Sequence, residues 1–173
     1  MEFKIFSNAL RRILIRKIPM ANKNKSGRYQ RIFRQVEELI QATESPWSRM
    51  STIAALLHYK IPDYFWTGFY FLDEEDNLIV GPYQGPVACL KLKKDTGVCW
   101  AGINTGKSVV VGDVEEFPGH IACSSLSKSE IVVPVRDKSG KVMAVLDVDS
   151  RELNTFDETD RVELEKIVDL IYQ

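Results

Sequence analysis

The chain has 173 residues, 45% of them apolar and 27% charged, with 23 basic against 24 acidic side chains. That balance and length describe one folded domain and exclude disordered and collagen-like classes. No stretch approaches the roughly 20 consecutive apolar residues of a membrane span, and no basic stripe beyond residue 31 marks a nucleic-acid binder.

Charge is uneven along the chain. Residues 1–25 carry a net +6 and the remainder −7. Arg11, Arg12, Arg16 and Lys17 interrupt the apolar residues around them, so this segment is no secretory signal. We read residues 1–25 as a basic, poorly ordered extension, with Met20 as an alternative start, and residues 26–173 as the domain. From Ser26, the spacing of Tyr29, Ile32, Phe33, Val36 and Leu39 predicts a helix with one apolar face. Ser45-Pro46 supplies a cap and a first-turn proline for a second helix, which carries Trp47, Met50, Ala54 and Leu57 and ends near His58. Trp66 to Leu72 and Leu78 to Val80 form a hairpin around the acidic turn Asp73 to Asn77. Gly97 to Gly106 reads as a short helix with a glycine stop, Ser108 to Val111 as a strand, and Gly112 to His120 as irregular.

Glu130 to Arg136 and Lys141 to Asp149 read as two strands joined by a four-residue turn. Pairing residue 136 with 141 would set Glu130 opposite Asp147. Asp149 shares the face of Asp147 because side chains alternate along a strand. Three carboxylates on one patch require a cation, a shared proton or solvent. The chain closes with a capping-box pattern, Thr155-x-x-Glu158, and a stripe of Leu164, Ile167, Val168 and Ile171. Helices at both ends of a mainly antiparallel sheet make an α+β domain.

Three cysteines, Cys89, Cys99 and Cys123, remain. Without a secretory signal a permanent disulfide framework is not expected, which leaves reactive or buried thiols. Cys123 precedes a hydroxyl-rich stretch rather than lying in an apolar run. Backbone N–H groups after it, with Lys128 and His120, could stabilise its thiolate. Cys89, Cys99, His120 and Cys123 also have the ligand types of a zinc site, but their spacing contains a single compact pair, and we expect no metal. His58 ends an apolar helix and reads as structural. Neither phosphate-binding glycine motif is present.

Six segments in order, Trp66-Thr-Gly-Phe-Tyr70, Gly81-Pro-Tyr-Gln-Gly-Pro-Val-Ala-Cys89, Gly97-Val-Cys99, Phe117-Pro-Gly-His-Ile-Ala-Cys123, Ser129-Glu-Ile-Val-Val-Pro134 and Leu146-Asp-Val-Asp-Ser150, resemble the free methionine-(R)-sulfoxide reductases, which are built on a GAF domain. The resemblance spans about residues 28–172. It implies that Cys123 attacks the sulfoxide sulfur and becomes a sulfenic acid. Cys89 then closes a Cys89–Cys123 disulfide, and thioredoxin or a similar dithiol restores both thiols. Cys99 either takes part in thiol exchange or packs in the core. Trp66 and Tyr70 would line the substrate pocket. Glu130, Asp147 and Asp149 would receive the α-ammonium of a free amino acid, and Glu130 or Asp149 would protonate the sulfoxide oxygen.

Ser124 stands where family members often carry an acid, and Trp100 follows Cys99 where glycine is common. The resemblance further implies no cofactor beyond the dithiol, a cytoplasmic location, and a homodimer among the permitted assemblies. The alternative is a non-catalytic GAF sensor that binds a small ligand or uses Cys123 as a redox switch.

Overall fold

The computed structural model describes residues 20–120 and 124–173, with side chains described from residue 25. The expected α+β architecture is borne out: a six-stranded antiparallel sheet ordered β3-β2-β1-β6-β5-β4 lies between helices. Its elements are α1 (Met20–Leu39), α2 (Pro46–Lys60), β1 (Trp66–Leu72), β2 (Leu78–Gln84), β3 (Lys91–Leu92), α3 (Gly97–Thr105), β4 (Val109–Val111), β5 (Ser129–Arg136), β6 (Val142–Ser150) and α4 (Glu158–Val168). Single 3-10 turns follow α1 and β4, at Ile40–Ala42 and Val114–Glu116.

One sheet face carries Phe69, Ile131, Val133, Ala144, Leu146 and Val148. It buries them against α1, α2 and α4 through Tyr29, Ile32, Val36, Ile53, Leu57, Leu164 and Ile167. Strand alternation sends the intervening residues to the opposite face, where Trp66, Tyr70, Val132 and Val145 meet α3 through Val98, Cys99 and Trp100. Pro134 is tolerated in β5 because β4 pairs only with residues 130–132, so no neighbouring strand needs the missing N–H on that side.

Several local expectations shift. The dividing line placed at residue 25 falls inside α1, which runs from Met20. Lys25 ties that helix to the start of α4, donating to the Thr155 carbonyl at 3.1 Å and pairing with the Asp160 carboxylate. Residues 1–19 lie outside the described residues. Leu39, placed on the apolar face of α1, is 48% exposed, because the 3-10 turn that follows rotates Ile40 inward instead. Helix α2 has the expected Ser45 cap but continues two residues past His58 to Lys60, and Trp47 is an exposed side chain that packs edge-on against Phe71 at 4.6 Å.

Helix α4 begins two residues later than its capping-box pattern suggested. Asp157 is the cap and Asp160 completes the box, while the Thr155 hydroxyl is used by Ser150 at 2.8 Å.

Candidate active site

The β5–β6 register differs from the simple turn expectation by two residues. Asp137 N–H donates to the Lys141 carbonyl, so the loop closes on Arg136 and Val142, and a bulge beside Val135 adds one more step. Glu130 therefore pairs with Asp149, and Asp147 pairs with Val132. A slip of two keeps every side chain on its face, so the convergence of Glu130, Asp147 and Asp149 survives. The row across the sheet is Trp66, Asp149, Glu130, Val111, and the next is Gly68, Asp147, Val132, Val109.

Gly68 is the gap in that second row. A Cβ there would lie 2.3 Å from Tyr83 Cβ and 2.5 Å from the Trp66 ring, so only glycine lets the indole lie across the strand. Trp66 stacks on Tyr83 at 5.4 Å and on Tyr70 at 5.8 Å. Both aromatic side chains also hold the segment that follows β2. Trp66 Nε1 donates to the Pro86 carbonyl at 3.2 Å, and the Tyr70 hydroxyl donates to the Cys89 carbonyl at 3.1 Å. Gly85, at φ +120°, turns that segment over the indole.

The result is a cavity of about 60 Å³ between the sheet face, α3 and the loops, walled by Trp66, Tyr70, Ala88, Leu92, Cys99 and His120 and floored by Glu130, Asp147 and Asp149. A single water needs about 10–15 Å³ on the same scale, so the space suits a small molecule of amino-acid size. Among the described residues, no Lys or Arg lines it.

Burial and mutual repulsion dominate the electrostatics. Desolvation, reinforced by the Asp147 and Asp149 charges, holds the Glu130 carboxyl well above the ordinary carboxylate range. Asp147 is raised for the same reasons, with burial first and the Asp149 charge second. Asp149 is pushed up to about 6 by burial, partly offset by a hydrogen bond from Ser127. Asp147 Oδ1 is buried with no hydrogen-bond partner among the described residues, as is His120 Nε2. Such uncompensated buried groups mark a place where a ligand supplies what the protein does not.

Cys99 is a buried free thiol whose sulfur lies within 4.8 Å of carboxylate oxygens of both Glu130 and Asp147. Burial and those negative charges raise its pKa, so at neutral pH it is protonated and a poor nucleophile. Cys89 is disulfide-bonded. Cys123 lies outside the described residues.

Comparison with known proteins places this geometry. Residues 60–173 match the family model for a GAF domain. "GAF domain-containing protein A" of Dictyostelium discoideum is 42% identical over 89% of this chain and 96% of its own length. "Free methionine-R-sulfoxide reductase" of Escherichia coli is 35% identical over 84% of this chain and 87% of its own. Among solved structures, free methionine-R-sulfoxide reductase from Neisseria meningitidis, determined in complex with its substrate, superposes with a TM-score of 0.81 at 40% identity, covering 85% of this chain and 87% of that one. The chain belongs to the free methionine-R-sulfoxide reductase family of GAF domains.

Within this reductase family fold, Trp66, Tyr70, Cys99, Glu130, Asp147 and Asp149 are brought to one cavity, with Cys89 in the segment that roofs it. Lys128 is not there. Its ammonium is held by Glu115 at 2.9 Å on the surface, and Lys128 is not among the described residues lining the cavity. Of the four candidate zinc ligands, Cys89 is disulfide-bonded, Cys99 faces two carboxylates and Cys123 lies outside the described residues. Trp100, on α3, is buried against the sheet and is not among the residues described as lining the cavity. Sequence reasoning missed Ser127, which contacts Asp149, and Gly68; the Trp-Thr-Gly spacing was the one available signal for the latter, because a glycine mid-strand marks a close approach. Among the described residues, no helix is long and apolar enough to cross a membrane.

Proposed function

We propose that this chain reduces free L-methionine-(R)-S-oxide to L-methionine, using Cys123 as nucleophile, Cys89 as resolving thiol and thioredoxin, or a similar dithiol protein, as electron donor. The observation that carries the reading is the three-carboxylate floor of a small cavity that no Lys or Arg lines among the described residues. A free amino acid brings the missing positive charge as its α-ammonium, with Asp147 Oδ1 as an open acceptor. A methionine sulfoxide within a polypeptide has an amide there instead, so the same acids would be left unpaired and the peptide substrate rejected.

In this mechanism the Cys123 thiolate attacks the sulfoxide sulfur while a protonated acid delivers a proton to the departing oxygen. Glu130 is the better donor of the two candidates, because burial and the Asp147 and Asp149 charges raise its carboxyl well above the ordinary range, which favours the protonated form, whereas Asp149 is raised only to about 6. The hydroxyl passes to the Cys123 sulfur as the bond between the two sulfurs breaks with its electron pair on the substrate sulfur, leaving methionine and a Cys123 sulfenic acid. The Cys89 thiol condenses with it, releasing water and forming the Cys89–Cys123 disulfide. The dithiol donor then returns both cysteines to thiols and is itself oxidised to a disulfide. Trp66 packs against the methyl-bearing end of the substrate. The protonated Cys99 acts as a neighbour of Asp147 rather than as a relay. Such chemistry requires a reducing compartment, and we place the protein in the cytoplasm.

The test is a thioredoxin-coupled assay with the free R epimer, the free S epimer and a peptide-bound sulfoxide. Turnover of the free R form alone is expected. Equal turnover of the peptide would overturn the ammonium argument, and turnover of none would overturn the reductase reading.

A further inference from the structure

We infer that the sheet edge beside Cys89, formed by Val87, Leu90 and β3, is the docking surface for the dithiol protein that reduces this chain. This rests on the recycling step proposed above. Three separate features meet at that edge. Val87 is 85% exposed and Leu90 74% exposed, the one two positions before Cys89 and the other immediately after it. Aliphatic side chains that exposed, bracketing a redox cysteine, form an apolar rim with no cover among the described residues.

This exposure is built in: the Leu90 carbonyl accepts from Val80 N–H at 3.0 Å, and the Cys89 carbonyl accepts from Tyr70, so the segment is anchored with its apolar side chains outward. Next, β3 is the terminal strand of the sheet and, among the described residues, pairs with β2 alone, leaving its outer backbone groups available to an extended partner segment. Last, Lys93 and Lys94 follow at once, both exposed and neither in an ion pair among the described residues, which favours a partner with carboxylates around an apolar contact.

The chemistry this surface would serve is balanced. A thiolate of the docked partner attacks the Cys89 sulfur, the intramolecular S–S bond breaks, and the electron pair leaves on the other cysteine, which takes up a proton. The partner's second thiolate then attacks its own sulfur in the mixed disulfide. Cys89 departs as a thiolate and is protonated, and the partner, having given two electrons, leaves as a disulfide. Cys89 is the point of attack because it sits, half-buried, between the exposed Val87 and Leu90.

The test reads this redox step alone. The oxidised full-length chain is mixed with excess reduced thioredoxin or with dithiothreitol, and free thiols are counted against time for the parent, Leu90→Ser and the double variant Lys93→Glu/Lys94→Glu. For Leu90→Ser the second-order rate constant with thioredoxin is expected to fall about tenfold, with the dithiothreitol rate unchanged. The lysine variant should slow thioredoxin in low salt and lose that deficit in high salt.

Unchanged thioredoxin rates, or equal slowing with both reductants, would overturn the assignment. So would a Leu90→Ser variant that only dissociates a dimer in sedimentation, since the edge would then be an interface between copies. Activity on methionine sulfoxide is measured separately, so its failure would remove the proposed reaction without altering this readout.

Discussion

Replacing Asp149 by asparagine should make the protein more stable at neutral pH while impairing substrate binding. In the folded chain this carboxyl is raised from 3.8 to about 6 by burial, so folding opposes its ionisation. Below pH 4 it is protonated in both states and imposes no penalty. As pH rises from about 4 to about 6 the unfolded chain ionises first, stability falls, and above the folded value the loss is complete. The displacement corresponds to roughly 3 kcal/mol, an upper bound because the three acids share their charge.

Asparagine cannot ionise and keeps an oxygen for Ser127. The variant should therefore melt higher than the parent at pH 7.5, by about 2–4 °C for each kcal/mol recovered, and the difference should close toward pH 4. The assay is thermal unfolding of the oxidised protein across that pH range, paired with the KM for the free sulfoxide. KM should rise at least about tenfold, since a hydrogen bond to a charged group contributes roughly 1.5–3 kcal/mol. A variant destabilised equally at pH 4 and 7.5, or one with unchanged KM, would refute the account of Asp149 as a buried carboxylate that takes its counter-charge from a cationic ligand.

Other expectations follow from the same geometry. Cys123→Ser should abolish turnover, whereas Cys89→Ser should still release about one methionine per chain and then stop; equal loss of that first turnover would sink the division of roles. Gly68→Ala should displace the Trp66 ring and destabilise by about 1–3 kcal/mol, read as a lower denaturant midpoint together with a raised sulfoxide KM; a normal KM would mean that the indole does not shape the pocket. Arg49→Ala should cost about 2–4 kcal/mol, because the guanidinium donates to the carbonyls of Thr43, Leu170, Ile171 and Gln173 at 2.9–3.3 Å. Hydrogen exchange should then show the segment after α4 opening first, and uniform protection would contradict that.

Much of the site could be read from residue order. The hairpin alternation put Glu130, Asp147 and Asp149 on one face, and that conclusion tolerated a register error because a shift of two leaves the face unchanged. The error arose from a bulge and a loop one residue longer than the four-residue turn, both decided by backbone hydrogen bonds around Asp137 that side-chain pattern does not encode. Capping behaved similarly. Thr155 and Asp157 both satisfy the composition of a helix start, and contact of Lys25 and Tyr29 with Asp160 is consistent with the box on Asp157.

By itself, then, the sequence determined what depends on local period and residue type: two amphipathic helices, a hairpin and its face, the α3 glycine stop, and a set of motifs specific enough to name a family. Only the tertiary structure decided which groups share a dielectric. Trp66, Cys99, Glu130 and Asp147 are separated by tens of residues, and their burial together raises the carboxyl pKa values and leaves Asp147 Oδ1 open. Lys128, two residues from Glu130 in the chain, is drawn to the surface by Glu115. Proximity along the chain could not foretell either outcome, because electrostatic strength depends on distance through space and on excluded water, both of which folding sets.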